Sequence, residues 1–261
     1  MNCPFNLHFG HSSIVADSRM CHQQLEKPMT QRIIPITSAN FIADRALDKP
    51  LEWTTIFGNP HPLALEIGCG TGHFILEQAL KQPDINFVAI DIYNKGCLKT
   101  CAKIDDAGVE NVRVMRVEAR WLMEKGLQPE SLAAVYINCP DPWPKKRHRR
   151  RRLVNRDFLT SLAHYLVPGG NFFFSTDFDD YAEDVAEQIR DLTGYRNMLQ
   201  SDWEYALSGY PISKYMQRFL DRGQPIYFLH HQRDTAVSRH ELPSPTVHRG
   251  FRVDWQKADN D

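Results

Sequence analysis

The chain has 261 residues, 42% of them hydrophobic and 24% charged, a balance that excludes a disordered or fibrous class and fits one large globular domain with tails. Lys and Arg number 31 against 32 Asp and Glu, a net charge of −1, so the molecule as a whole is not a polycation and any nucleic-acid footprint must be local. Six scattered cysteines, Cys3, Cys21, Cys69, Cys97, Cys101 and Cys139, favour free thiols and make the cytoplasm the expected compartment. Residues 1–20 lack the apolar core of a signal peptide, and no run reaches the roughly 18 apolar residues of a membrane span, so neither targeting nor a membrane is expected.

In chain order, residues 1–50 show no sustained periodicity and read as an N-terminal arm, in which Ser38 to Ala43 could start a short capped helix. From Pro62 onward, short β-rich runs alternate with helical ones. Strands are expected at Leu63–Ile67, Asn86–Ile90, Val112–Val117, Ala133–Ile137 and Phe172–Ser175, with helices near 73–82, 94–107, 155–166 and 179–192. This alternation specifies βαβ units, and strands apolar on both faces belong in a parallel sheet covered by helices. Pro168-Gly169-Gly170 reads as a break between a helix and the next strand. After Gly194 the pattern weakens. Ile226–Leu229 then gives one more strand that could close the edge, and residues 234–261, polar with Pro243 and Pro245, read as a tail. The expected fold is α/β, a doubly wound and mostly parallel sheet over residues 51–233.

Glu66-Ile67-Gly68-Cys69-Gly70-Thr71-Gly72 follows the first of these strands and opens a helix. Glycines at 68, 70 and 72 permit a sharp turn and a close approach of backbone to ligand, although a tight strand-to-helix turn alone would also use them. Two features sharpen the reading. Asp91 ends the next strand about 20 residues later, where a carboxylate can accept ribose hydroxyls. The glycines also lack the GxGxxG spacing that would set a helix N-terminus on a pyrophosphate, so a cofactor without phosphates fits better. S-adenosylmethionine has a ribose and a cationic amino-acid end, and Glu66, Asp91 and Glu118 would complement it; for Glu118 a solvated charge after a strand is an equal alternative. Cys69 is an inert loop thiol, Cys97 and Cys101 are core residues, and His230 and His231 flank a strand end, so no metal site is expected.

The most informative stretch is Asn138-Cys139-Pro140-Asp141-Pro142-Trp143-Pro144, followed by seven cations in the eight residues Lys145 to Arg152. It leaves the carboxyl end of a strand, where open α/β sheets bind ligands, and its prolines stiffen it. Asp141 would be a fixed carboxylate at the reacting centre, Trp143 could stack a base or the loop itself, and the basic run would meet phosphates. Asp177, after Ser175-Thr176, puts a second carboxylate on the same rim unless it caps the next helix, a role open equally to Asp179 or Asp180.

At these residues the sequence resembles the bacterial tRNA (guanine-N7)-methyltransferase family, over roughly Leu63 to Arg233. The likeness rests on the Glu-Ile-Gly-x-Gly-x-Gly turn, the Pro-Asp-Pro-Trp-Pro-Lys loop with its basic run, and Thr-Asp followed by Tyr181. It implies a Rossmann-like class I methyltransferase fold, S-adenosylmethionine held by Glu66, Asp91, Glu118 and Asp141, and tRNA held by Lys145 and Asp177. Asp91 and Glu118 each exchange the acid usual in the family for the other one. A sharper departure is Ser213-Lys214-Tyr215-Met216, where the family has Thr-x-Phe-Glu. If Ser213 and Met216 occupy the guanine-binding position, the missing carboxylate implies weak guanine recognition that Met216→Glu would relieve, with Glu204 or Asp221 as substitute acceptors. The implied partner is tRNA, with no metal and no membrane, as a monomer or a homodimer. Two rival readings are an exocyclic-amine methyltransferase and a catalytically silent RNA-binding paralogue.

Overall fold

Runs such as Asn86–Asp91, buried at every residue, have no solvent face to present and so lie inside a sheet covered on both sides. A computed structural model describes residues 33–43, 47 and 49–245; the parts of the expected arm and tail outside those ranges are not described. Its strands are β1 (Phe41–Ile42), β2 (Leu63–Ile67), β3 (Asn86–Asp91), β4 (Val112–Arg116), β5 (Leu132–Asn138), β6 (Leu166–Thr176), β7 (Tyr195–Asn197) and β8 (Tyr227–Arg233). They form one sheet in the order β1-β4-β3-β2-β5-β6-β8-β7. Pairing is parallel from β1 through β6, and β8 runs antiparallel to both β6 and β7. The helices are α1 (Trp53–Phe57), α2 (His73–Lys81), α3 (Asn94–Ala107), α4 (Ala119–Gly126), α5 (Arg156–Ala163), α6 (Asp179–Arg190) and α7 (Lys214–Leu220).

Alternation along the strands divides the core between the two faces. Leu65, Ile67, Val88, Ile90, Val135 and Ile137 pack with α4, α5 and α6, whereas Ala64, Phe87, Ala89, Val112, Val114 and Tyr136 pack with α2 and α3. In α6, Tyr181, Ala182, Val185, Ala186 and Ile189 are buried, the i, i+4 spacing of a helix with one apolar stripe. The strand order reverses at β2, which lies between β3 and β5. That switch point is where an open parallel sheet leaves a crevice at its carboxyl ends.

Three expectations change. Ser38 to Ala43 do not start a helix: after a turn at 39–40, Phe41 and Ile42 pair with Val114 and Met115, because an available edge of β4 outweighs a local capping signal. Pro168-Gly169-Gly170 does not separate two elements but lies within β6, where the register slips from Leu132 facing Leu166 to Ala134 facing Asn171, a bulge rather than a break. The run at 227–233 is an inner strand, and the outer one beside it is β7. Within the described tail, Leu242 is buried and the His164 ring donates to the Pro243 carbonyl at 2.9 Å, so this segment covers the sheet end.

Candidate active site

The glycine turn joins β2 to α2. Gly68 (φ +83°) and Gly70 (φ +55°) occupy the left-handed region, and a Cβ on either would meet nothing within 4 Å, so the turn borders open space. Gly72 begins α2 with Thr100 packed against it. Asp91, at the end of β3, locks this geometry: its two carboxylate oxygens accept the backbone N–H groups of Gly70 and Tyr93, each at 2.8 Å. Burial pushes its carboxyl up while those two bonds pull it back.

Gly96, which sequence reasoning missed, is what allows α3 to approach the turn. A Cβ there would lie 2.7 Å from the Gly70 carbonyl oxygen. Gly96→Ala must displace the turn, and overpacking of this kind costs about 1–3 kcal/mol. Calorimetric titration of the variant with S-adenosylmethionine is expected to show affinity lower by up to roughly 5- to 150-fold.

Glu66 is 2% exposed, and its Oε2 has no hydrogen-bond partner among the described residues. Burial pushes its carboxyl up to about 8, with the Asn138 side chain opposing and the Asp91 charge adding to the rise. Asn138 is itself held by Ser175 Oγ at 3.0 Å and by Tyr210 Oη at 2.7 Å, both donating to its Oδ1. Tyr210, also missed from sequence, packs on Phe74, Tyr136, Phe173 and Phe228 and so fixes the Asn138 amide it bonds.

A buried carboxylate with an unpartnered oxygen, beside a turn with open space above it, is a site for a cation. The amino-acid end of S-adenosylmethionine would suit it, Glu66 being available to an ammonium group and Asp91 to a ribose at the neighbouring strand end. Pairing requires the Glu66 anion, yet below about 8 the carboxyl of the ligand-free protein is protonated. Binding at pH 7 should therefore release about one proton, and affinity should rise as pH is raised from about 6 towards 8. Titrations in two buffers of different ionisation enthalpy measure that proton. Equal heats in both for the wild type would contradict the pairing, and Glu66→Gln should abolish the release.

Glu118 caps α4, accepting from the Trp121 N–H at 3.0 Å, and pairs with Arg120 at 3.1 Å. It is thus a structural group at the end of β4, and the expected contact with cofactor would share it with those partners.

The loop after β5 is strained at both ends of its Pro-Asp-Pro centre: Cys139 and Trp143 each have φ +45°, a conformation that costs non-glycine residues of order 1 kcal/mol or more and concentrates at functional sites. Asp141 between them is exposed and close enough for its charge to be felt at Asp91 and at the Tyr215 hydroxyl. Asp177 is half-buried, its carboxyl pushed up by burial, and it also acts on Tyr215. It is not the cap of α6, since that residue is Phe178 with no side-chain cap. Trp143 does not point away as a free stacking platform: Arg151 lies over its ring at 4.9 Å and His148 meets it edge-on at 5.9 Å.

The basic run divides in two. Lys145, Lys146, Arg147 and Arg150 are exposed. Arg149 instead pairs with Asp180, and Arg152, its side chain 1% exposed, binds Asp180 at 2.5 Å, Asp184 at 2.8 Å and the Pro142 carbonyl at 2.9 Å over the Tyr181 ring. The expectation that the whole run meets phosphates is corrected accordingly: its last arginine ties the Asp141 loop to α6.

Ser213 and Met216 are likewise engaged within the protein. Ser213 Oγ caps α7 by accepting from the Met216 N–H at 3.1 Å, and the Met216 sulfur accepts from the Ser213 N–H at 3.4 Å. Met216 is fully buried against Ile226 and Phe228. A carboxylate at 216 could accept from that same N–H, as in a capping box, so in this arrangement the position serves the helix cap. Neighbouring Tyr215, 52% exposed, is near enough for the charges of Asp177 and Asp141 to reach its hydroxyl.

Comparison with known proteins agrees with this geometry. The family model described as "Putative methyltransferase" matches residues 60–229. The chain is 52% identical over 227 residues to the tRNA (guanine-N(7)-)-methyltransferase of Syntrophotalea carbinolica, covering 87% of this chain and 98% of that one. It is 52% identical over 204 residues to the protein of the same name from Geobacter metallireducens, covering 78% and 97%. Its fold is similar to that of the 16S rRNA methyltransferase KamB, with a TM-score of 0.53 at 16% identity over 70% of this chain and 93% of that one. Glycine turn, acidic strand ends and the relatives at 52% identity agree: the chain belongs to the bacterial tRNA (guanine-N7)-methyltransferase family.

Proposed function

We propose that this protein transfers a methyl group from S-adenosylmethionine to N7 of a guanine in tRNA. The observation that carries the reading is the row of carboxylates at adjacent strand ends, Glu66, Asp91, Asp141 and Asp177, none of which is in an ion pair among the described residues. Such a rim suits a cationic cofactor and a base that becomes cationic. The relatives' names identify tRNA as the substrate class, and Lys145, Lys146, Arg147 and Arg150 supply cations for its phosphates.

S-adenosylmethionine, when bound, supplies an electrophilic methyl group. Guanine N7 presents an in-plane lone pair with no proton to remove, so the side chains need no strong general base. Their work is positioning and charge stabilisation. Asp141, on its stiffened loop, and Asp177 would stabilise the positive charge that develops on the purine, and Tyr215, whose hydroxyl feels both, would border the base. The four cysteines among the described residues, Cys69, Cys97, Cys101 and Cys139, are free, which suits a reducing cytoplasm as the place of action.

A tRNA transcript made with 7-deazaguanosine tests the assignment, because it keeps the exocyclic amine and lacks N7. It should accept no methyl group while the ordinary transcript does. Equal methylation of both would transfer the reaction to another atom.

A further inference from the structure

A second group of cations lies on the other side of the rim. Lys103 Nζ of α3 donates to His73 Nε2 of α2 at 3.3 Å, leaving the opposite ring nitrogen to donate to Thr71 Oγ1 of the glycine turn at 3.0 Å. The ring is pushed away from its charged form by burial, then by Lys103, then by Lys214 of α7, so the charge of Lys214 also reaches the imidazole that Lys103 touches. Neither lysine has a carboxylate within ion-pair distance among the described residues. Two acids of the same helices are engaged elsewhere: Glu77 with Lys81 at 2.8 Å, and Asp105 with Ser38 and Asn40, each at 2.9 Å.

Gathering cations without an acidic partner is unfavourable in the ligand-free protein and makes a local anion site. Its position is specific. Helices α2 and α3 cover one face of the sheet and α6, which holds the end of the 145–152 run, covers the other. Lys214 precedes Tyr215, whose hydroxyl senses Asp141 and Asp177.

We infer that Lys103, bonded to His73, and Lys214 at the start of α7 form a second phosphate contact that grips the RNA backbone on the flank of the target nucleoside opposite the 145–151 run. The inference rests on RNA being the substrate. A base turned into the crevice has a phosphate on each side of its ribose, and cations on both faces of the sheet would hold both.

The test uses the full chain and an unmodified tRNA transcript, with affinity measured over a range of NaCl concentrations for wild type, Lys103→Gln, Lys214→Gln, the double variant and Lys103→Arg. Each glutamine should flatten the log-affinity against log-salt plot by roughly 0.7 to 0.9, and Lys103→Arg should keep the wild-type slope. Affinity for S-adenosylmethionine alone should not change. An unaltered slope in the double variant, with a wild type that methylates tRNA, would overturn the inference. So would a loss of cofactor affinity at constant slope, which would assign these cations to the cofactor carboxylate. A wild type that leaves tRNA unmethylated would overturn the proposed function, and this inference with it.

Discussion

Asp141→Ala should lower turnover on the order of a hundredfold or more, the usual effect of removing a preorganised group that stabilises developing charge. The side chain is exposed at the loop apex, so its loss leaves no cavity and stability should stay within about 0.5 kcal/mol of wild type. Asp141→Asn keeps the shape and removes the charge, and should fall nearly as far. The two together separate electrostatics from packing. Single-turnover methylation at saturating tRNA measures the effect, and near-wild-type rates in the alanine variant would remove Asp141 from the centre.

Arg152→Met should be the most destabilising change in the basic run. Loss of one member of a buried charge cluster costs about 3–5 kcal/mol; Asp180 and Asp184 are 30% and 33% exposed, so the lower end applies, about 3 kcal/mol. For a chain of this size that is a melting temperature lower by roughly 6–12 °C. Arg152→Lys restores the charge but not the fork that reaches two carboxylates and a carbonyl, and should recover only part of the loss. Because Arg152 contacts protein, the folded lysine variant should lose turnover through a looser Asp141 loop and keep the wild-type salt dependence of tRNA binding. Neutralising Lys146, Arg147 and Arg150 should do the reverse. A flattened salt plot for Arg152→Lys would return this arginine to the phosphate surface.

The contrast between these two residues shows what was legible beforehand. Asp141 was visible because prolines, an acid and a strand end occur together in sequence, and the inner strands were visible because a run such as Asn86–Ile90 has no polar face to expose. Arg152 was not distinguishable from Lys146. Its partners lie 28 and 32 residues further on, and although Asp180 and Asp184 share a helix face at i, i+4, no local pattern says which segment docks there. Gly96 was missed for the same reason, since its importance depends on the Gly70 carbonyl of another element. Tyr210 lies in an irregular segment and Tyr215 opens the short helix α7, neither with periodicity to follow. At Met216 the letters departed from the family pattern, and the structure gives the position a local reason in the helix cap and the apolar cluster beneath it. Ser38 to Ala43 misled because a capping residue is also a turn residue, and only the edge of β4 decides between helix and strand.

The most direct check is to incubate the purified full-length protein with labelled S-adenosylmethionine and unmodified tRNA, digest the RNA to nucleosides and identify the labelled product. Label recovered as 7-methylguanosine, and formed far more slowly when Asp141→Ala replaces the wild type, is the predicted result. Label on an exocyclic amine or a ribose, or none at all from protein that binds both S-adenosylmethionine and tRNA, would contradict it.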